Sequence, residues 1–182
     1  MRQPLRLILL GALFAAATTT AVGLDAAQRP RITSRATLEA VVDNVHISME
    51  YGRPTKRGRE IWGGLVPWGR WWMPGADETT SIVTDGALRV GTLEMPAGTH
   101  TIYTLPAAEV FTLIVNRQTG QFHTVYHPDR DLGRVPMTLR RLDAPVEQMT
   151  FVVTPGTSGG GTLALQWDDR EYSVDLHAAA RR

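Results

Sequence analysis

Three arginines, Arg53, Arg57 and Arg59, fall within seven residues, followed by Trp62, Trp68, Trp71 and Trp72 and then by the adjacent acids Asp77 and Glu78. Guanidinium groups offer planar forks that match carboxylate, phosphate or sulfate, so such a cluster on a loop can hold an anionic ligand. The competing use is internal: the same arginines pair with Glu50, Glu60, Asp77 or Glu78 and pin the loop down, a reading the balanced charge favours. The indole rings of Trp62, Trp68, Trp71 and Trp72 could form a stacking platform under a sugar or another flat apolar face, with Trp62 and Trp72 the candidates. Each ring also buries so much area that capping a core is the commoner use. Because Trp71 and Trp72 are neighbours, an extended backbone sends them to opposite sides.

Asp77 and Glu78 invite comparison with a glycosidase, whose two carboxyls stand ~5 to 9.5 Å apart across one substrate. Adjacent residues of an extended segment diverge, so one of the two is at most a lone general acid or base. His123 and His127 have the spacing of a helical metal pair, but Thr124-Val125-Tyr126 reads as a strand. At ~3.3 Å per residue that places the imidazoles ~13 Å apart, too far for one ion. No serine elbow, phosphate-binding glycine loop or dinucleotide fingerprint is present, so neither a cofactor nor a metal is expected.

The segment carrying the arginines and tryptophans, 52–76, is rich in glycine and proline and has no clear period. Its tryptophans with Ile61, Leu65 and Val66 argue for order, and ordered loops this long in a compact domain tend to be functional. The scaffold on either side reads as strands. Val45, Ile47, Met49 and Tyr51 alternate with His46, Ser48 and Glu50, and Asp43-Asn44 suits a tight turn before them. Arg53-Pro54 ends that strand, since proline has no N–H for the ladder. Thr79–Thr84 and Ala87–Leu93 flank Asp85-Gly86, a hairpin signal, and His100–Leu105 follows the turn Met95-Pro96-Ala97-Gly98. Val110–Asn116, Phe122–Tyr126, Met137–Leu142, Met149–Thr154, Thr162–Trp167 and Tyr172–Leu176 complete about ten short strands. Turn signals every ~8 to 12 residues predict an all-β antiparallel β-sandwich, jelly-roll-like or a partly open barrel.

The chain of 182 residues opens with Arg2 and Arg6, an apolar run from Leu7 to Ala17 and a small-residue exit, the pattern of a secretory signal peptide over residues 1–26. That run is too short to cross a bilayer core of ~30 Å, and no later run is longer. The mature protein is therefore expected in the periplasm or secreted, and not membrane-spanning. Residues 27–36 read as a flexible lead-in, 37–177 as one domain and 178–182 as a frayed tail. There is no cysteine, so burial alone must stabilise the exported domain. Removing Arg2, Arg6 and Asp25 from 19 basic and 18 acidic residues leaves 17 of each. That balance argues against nucleic acid as a partner, leaving a small molecule, a glycan or an envelope protein.

The long segment also resembles a known family. Tyr51-Gly52-Arg53-Pro54, Arg57-Gly58-Arg59, Ile61-Trp62-Gly63, Leu65-Val66-Pro67-Trp68-Gly69 and Gly75-Ala76-Asp77-Glu78 are similar to the DUF2911 family of exported bacterial domains. The resemblance continues through Leu93–Thr99, Tyr103–Pro106, Phe111–Asn116 and Leu163–Trp167, covering residues 34–177. It implies export and a β-sandwich and supplies no catalytic residues. The chain departs from the family pattern at Trp68 and His100 (usually tyrosine), at Met73-Pro74 (usually Arg-Thr) and at Asp77 (usually asparagine). The missing arginine at Met73 and the added charge at Asp77 both count against an anion site. Together these observations predict a non-catalytic ligand-binding or envelope-associated module with Arg53, Arg57, Arg59, Trp62, Trp72, Asp77 and Glu78 as its candidate residues. The alternative is a hydrolase of an envelope or extracellular polymer, using Glu78 or Asp77 with the arginines as anion clamps.

Overall fold

A computed structural model describes residues 33–180, so the expected signal peptide and most of the lead-in lie outside the described residues. Among the described residues the fold is all-β, with no α-helix and a single 3₁₀ turn at Pro128–Arg130. The strands are β1 (Ser34–Val42), β2 (Val45–Arg53), β3 (Ser81–Thr84), β4 (Leu88–Val90), β5 (Leu93–Met95), β6 (Gly98–Leu105), β7 (Phe111–Asn116), β8 (Asp131–Pro155) and β9 (Gly161–Ala178). They form one antiparallel sheet in the order β1-β2-β3-β6-β7-β8-β9-β4-β5 that does not close into a barrel. The sheet curls instead, bringing the start of β1 and the end of β2 against β8. There Gln148 Nε2 donates to Ser34 Oγ (2.7 Å) and Met149 N to Pro54 O (3.0 Å). The apolar face of the curl, including Ile47, Met49, Ile82, Leu113, Phe151 and Trp167, makes the main core. A smaller cluster of Met73, Tyr103 and Ile114 lies apart from it.

Asp43 and Asn44 turn the chain between β1 and β2 with φ of 50° and 65°, the left-handed pair that a two-residue hairpin requires. The Asp43 carboxylate also accepts from Gly160 N (2.6 Å) and Ala178 N (3.1 Å), tying this hairpin to the residue before β9 and to its last residue. Ser34–Ala36 belong to β1 rather than to the lead-in, and Ala178 is still in ladder with Leu88 rather than in a frayed tail.

The hairpin expected at Asp85-Gly86 does not form. Asp85 exchanges hydrogen bonds with His46 on β2, its carboxylate accepting from His46 N at 2.8 Å, and the chain then crosses to the other end of the sheet. β3 pairs with β2 and β6, whereas β4 pairs with β5 and β9. Phe122–Tyr126 is not a strand either. Both ladder positions beside β7 are taken, by β6 and by β8, so this segment lies as a loop over Tyr103. Four of the expected short strands are two long ones, β8 and β9. Their charged middles stay paired through two register shifts, between Arg141 and Val146 and between Val146 and Thr150, with ion pairs reaching across the two strands. Arg140 grips Glu171 through two bonds of 2.9 Å, and Arg141 pairs with Asp169.

Candidate functional site

Pro54 ends β2, and the chain then runs beside β8, with Lys56 N donating to Glu147 O (2.8 Å) and Arg57 N to Glu147 Oε1 (2.8 Å). Arg57 and Gly58, both at positive φ, turn it back. The three arginines are thereby presented at one end of the curled sheet. Arg53 donates from Nε to Met149 O (3.2 Å) and from one terminal nitrogen to Thr150 Oγ1 (2.7 Å). Arg59 donates to the carbonyls of Lys56 and Thr55. These partners are neutral, so they orient the two guanidinium groups without cancelling their charge. The cation that is neutralised is Lys56, paired with Asp168.

A cleft of about 790 Å³ opens beside them. Arg53, Arg57, Arg59 and Arg70 line it together with Trp71, Trp72 and Trp167, and among the described residues no aspartate or glutamate is in its lining. Trp72 is held by two backbone bonds of 2.8 Å with Thr104, and its ring stacks on Trp167 at 6.1 Å and 17°. Trp71 faces the other way, as neighbours on an extended backbone must. Its ring lies 5.1 Å from Tyr126 and edge-on to Tyr103 at 5.9 Å, and it remains 38% exposed. Tyr126 is fixed in turn by donating to Asp131 Oδ2 (2.8 Å) and accepting from Arg134 (3.0 Å). The return of the loop lies flat on β2 because Gly52 has no side chain: a Cβ there would collide with the Ala76 carbonyl.

Trp62 is not in the cleft. It is buried at 7% exposure, stacked on Trp68 (6.5 Å, 19°) and edge-on to Phe111 and Tyr172. Arg170 covers this pair, its Cζ 5.7 Å from the Trp62 ring and 5.2 Å from that of Trp68.

The two acids are also outside the lining. Asp77 sits at φ 65°, a conformation that aspartate and asparagine tolerate, which explains why a position usually filled by asparagine accepts it. Its carbonyl accepts from His123 Nδ1 at 2.6 Å, so Nδ1 carries the proton and Nε2 is the ring nitrogen left for other contacts in the cleft that His123 lines. Glu78 accepts from Arg35 at 2.7 Å, and Arg35 also donates to Glu50 at 2.9 Å. Met73, where the family pattern has arginine, is buried against Tyr103 and Ile114. Arg70 stands three residues earlier and supplies a cation to the same cleft. Among the described residues no group of three or more His, Asp or Glu side chains converges as a metal site would require.

The structure thus brings together Arg53, Arg57, Arg59 and Trp72 and leaves out Trp62, Asp77 and Glu78. It adds Arg70, Trp71, His123 and Trp167. Arg70 and Trp71 share the loop that the composition marks. Nothing local marks Trp167, whose role follows from where β9 lies. Four cations, the indoles of Trp71 and Trp72 with Trp167 buried behind the latter, and no acid among the described lining residues make a surface able to hold an anion beside a flat apolar face. The chain belongs to the DUF2911 family, described as a protein of unknown function, whose model matches residues 33–176. No curated protein and no solved structure matches it.

Proposed function

We propose that this DUF2911 chain is an extracytoplasmic, non-catalytic binding domain that takes an anionic ligand in the cleft between Arg57 and Trp72. The observation that carries the reading is the composition of the lining, four guanidinium groups with no carboxylate among the described lining residues. A purely structural arginine cluster is expected to meet its acids within the fold, as Arg35, Arg140 and Arg141 do. The cleft arginines do not, and an incoming anion completes them. Hydrolysis by Asp77 or Glu78 is the weaker reading. A glycosidase-type mechanism needs carboxyls facing the substrate, and these two lie outside the lining, one with its carbonyl on His123 and the other with its carboxylate on Arg35. Export rests on the leader-like pattern of Arg2 to Gly23.

Titration with citrate and with sulfate, followed by tryptophan fluorescence and calorimetry, tests the binding reading. We expect saturable binding that weakens with added salt. In the Arg57→Ala/Arg70→Ala double variant it should fall by about tenfold or more, since each charge-assisted contact contributes ~1.5–3 kcal/mol. An unchanged affinity in that variant, with the same thermal midpoint as the parent, sinks the proposal.

A further inference from the structure

Resting on that binding reading, we infer that the ligand is an acidic oligosaccharide, a short run of pyranose rings that carry carboxylates. Three features of the cleft converge on this class. The first is how the aromatic and cationic groups divide the work. Trp72 is backed by Trp167, and Trp71 by Tyr103 and Tyr126, so each indole is a rigid platform. The negative face of an indole repels an anion and accepts the C–H face of a sugar ring. The charge of the ligand must therefore project from its edge toward the arginines, as the carboxylate of a uronic acid does.

The second is that the cations are dispersed and borne by side chains. Arg53, Arg57 and Arg59 come from the end of β2 and the turn after it, and Arg70 from the far side of the buried Trp62 segment. Separate planar forks suit separate carboxylates, each taken two-pronged. A compact phosphate is more often cradled by a helix N-terminus or by successive backbone N–H groups. The described residues include no α-helix to offer the first.

The third is the rest of the rim. Ser34, Thr55 and Thr124 are among the lining residues, and a hydroxyl both donates to and accepts from sugar hydroxyls. At about 790 Å³ the open cleft is at the upper end of the ~300–1,000 Å³ of small-ligand sites, room for more than one ring.

The test titrates the full chain with four probe types: the uronate trisaccharides trigalacturonate and trimannuronate, methyl-esterified trigalacturonate, neutral maltotriose, and pyrophosphate. Tryptophan fluorescence and calorimetry are read in parallel. At least one free uronate should bind and change the fluorescence, and its methyl ester and maltotriose should bind about tenfold or more weakly. Trp71→Ala should lose binding by a similar factor while lowering the thermal midpoint by no more than a few degrees, whereas a core role for that ring would lower it far more. Pyrophosphate binding in the absence of uronate binding overturns the saccharide inference and leaves the anion cleft standing. Equal binding of the ester and the free acid overturns both readings, as does silence from every probe.

Discussion

Two cation–aromatic clusters are built from the same loop, and their difference separates structure from function in this domain. In the first, residues 60–68 fold into the end of the core. Ile61 and Val66 are fully buried, Val66 N donates to Ile61 O at 2.8 Å, and Trp62 and Trp68 stack. Their cation, Arg170, sits over both rings, donates to Tyr172 Oη (3.0 Å) and pairs with Asp169 (3.6 Å). Its side chain is 16% exposed, so little of it is left for a ligand. In the second, Arg57 and Arg70 are exposed, Arg53 and Arg59 are held by neutral oxygens, and Trp71 keeps an open face. The ingredients are alike. What differs is whether the fold has already spent the charge and covered the rings.

The largest test of that contrast is to delete one indole from each cluster. Trp62→Ala removes a buried ring that touches Trp68, Phe111 and Tyr172, and should destabilise the domain by ~3–5 kcal/mol. Trp71→Ala, at a half-open position, should cost less than about 1 kcal/mol. Urea denaturation of the two variants reads both numbers. Equal losses would mean that the cleft wall is part of the core, and the comparison would collapse.

A smaller effect separates the cations. Arg170→Lys keeps the charge but loses the planar group lying over two indoles, and should cost ~1–2 kcal/mol. Arg70→Ala should change stability by no more than about 0.5 kcal/mol while weakening anion binding. If Arg70→Ala proved the more destabilising of the two, the cleft arginines would be structural after all.

Part of this was legible before the fold. Alternation in residues 45–51, the Asp43-Asn44 turn and Pro54 locate β1, β2 and the start of the loop, because these signals are local. The arginine cluster and the opposed directions of Trp71 and Trp72 follow from spacing alone. The partners were not legible. Residues 143–148 and Asp168–Glu171 read as breaks, since nothing near them in sequence shows that Val146 and Asp168 meet across β8 and β9. The strand order after Asp85 depends on that residue's bonds to His46, 39 positions away. Trp62 and Trp72 look equivalent in the sequence. Only the positions of Tyr172 and Trp167 on β9 put one under a closed lid of rings and the other at an open cleft.

The smallest effect concerns the cleft wall, where Tyr126 packs against Trp71 and Tyr103. Burial first, then its hydrogen bond to Asp131 and that residue's charge, push the phenol up from its ordinary value of 10 to about 12. The folded state therefore holds this proton more tightly than the unfolded chain does. The resulting stabilisation is complete below the unfolded value of 10 and is lost as pH rises from there through about 12. Tyr126→Phe lacks the proton and the bond to Asp131, so near neutral pH it should be less stable by ~1 kcal/mol. That deficit should shrink between about pH 8 and about pH 11, because over that interval only the parent chain pays for ionisation at this position. Paired denaturation curves at the two values measure it. A deficit that stays constant would mean that the Tyr126 hydroxyl is no better protected than an unfolded one, and that the wall behind Trp71 is looser than the closed cluster by more than the open cleft requires.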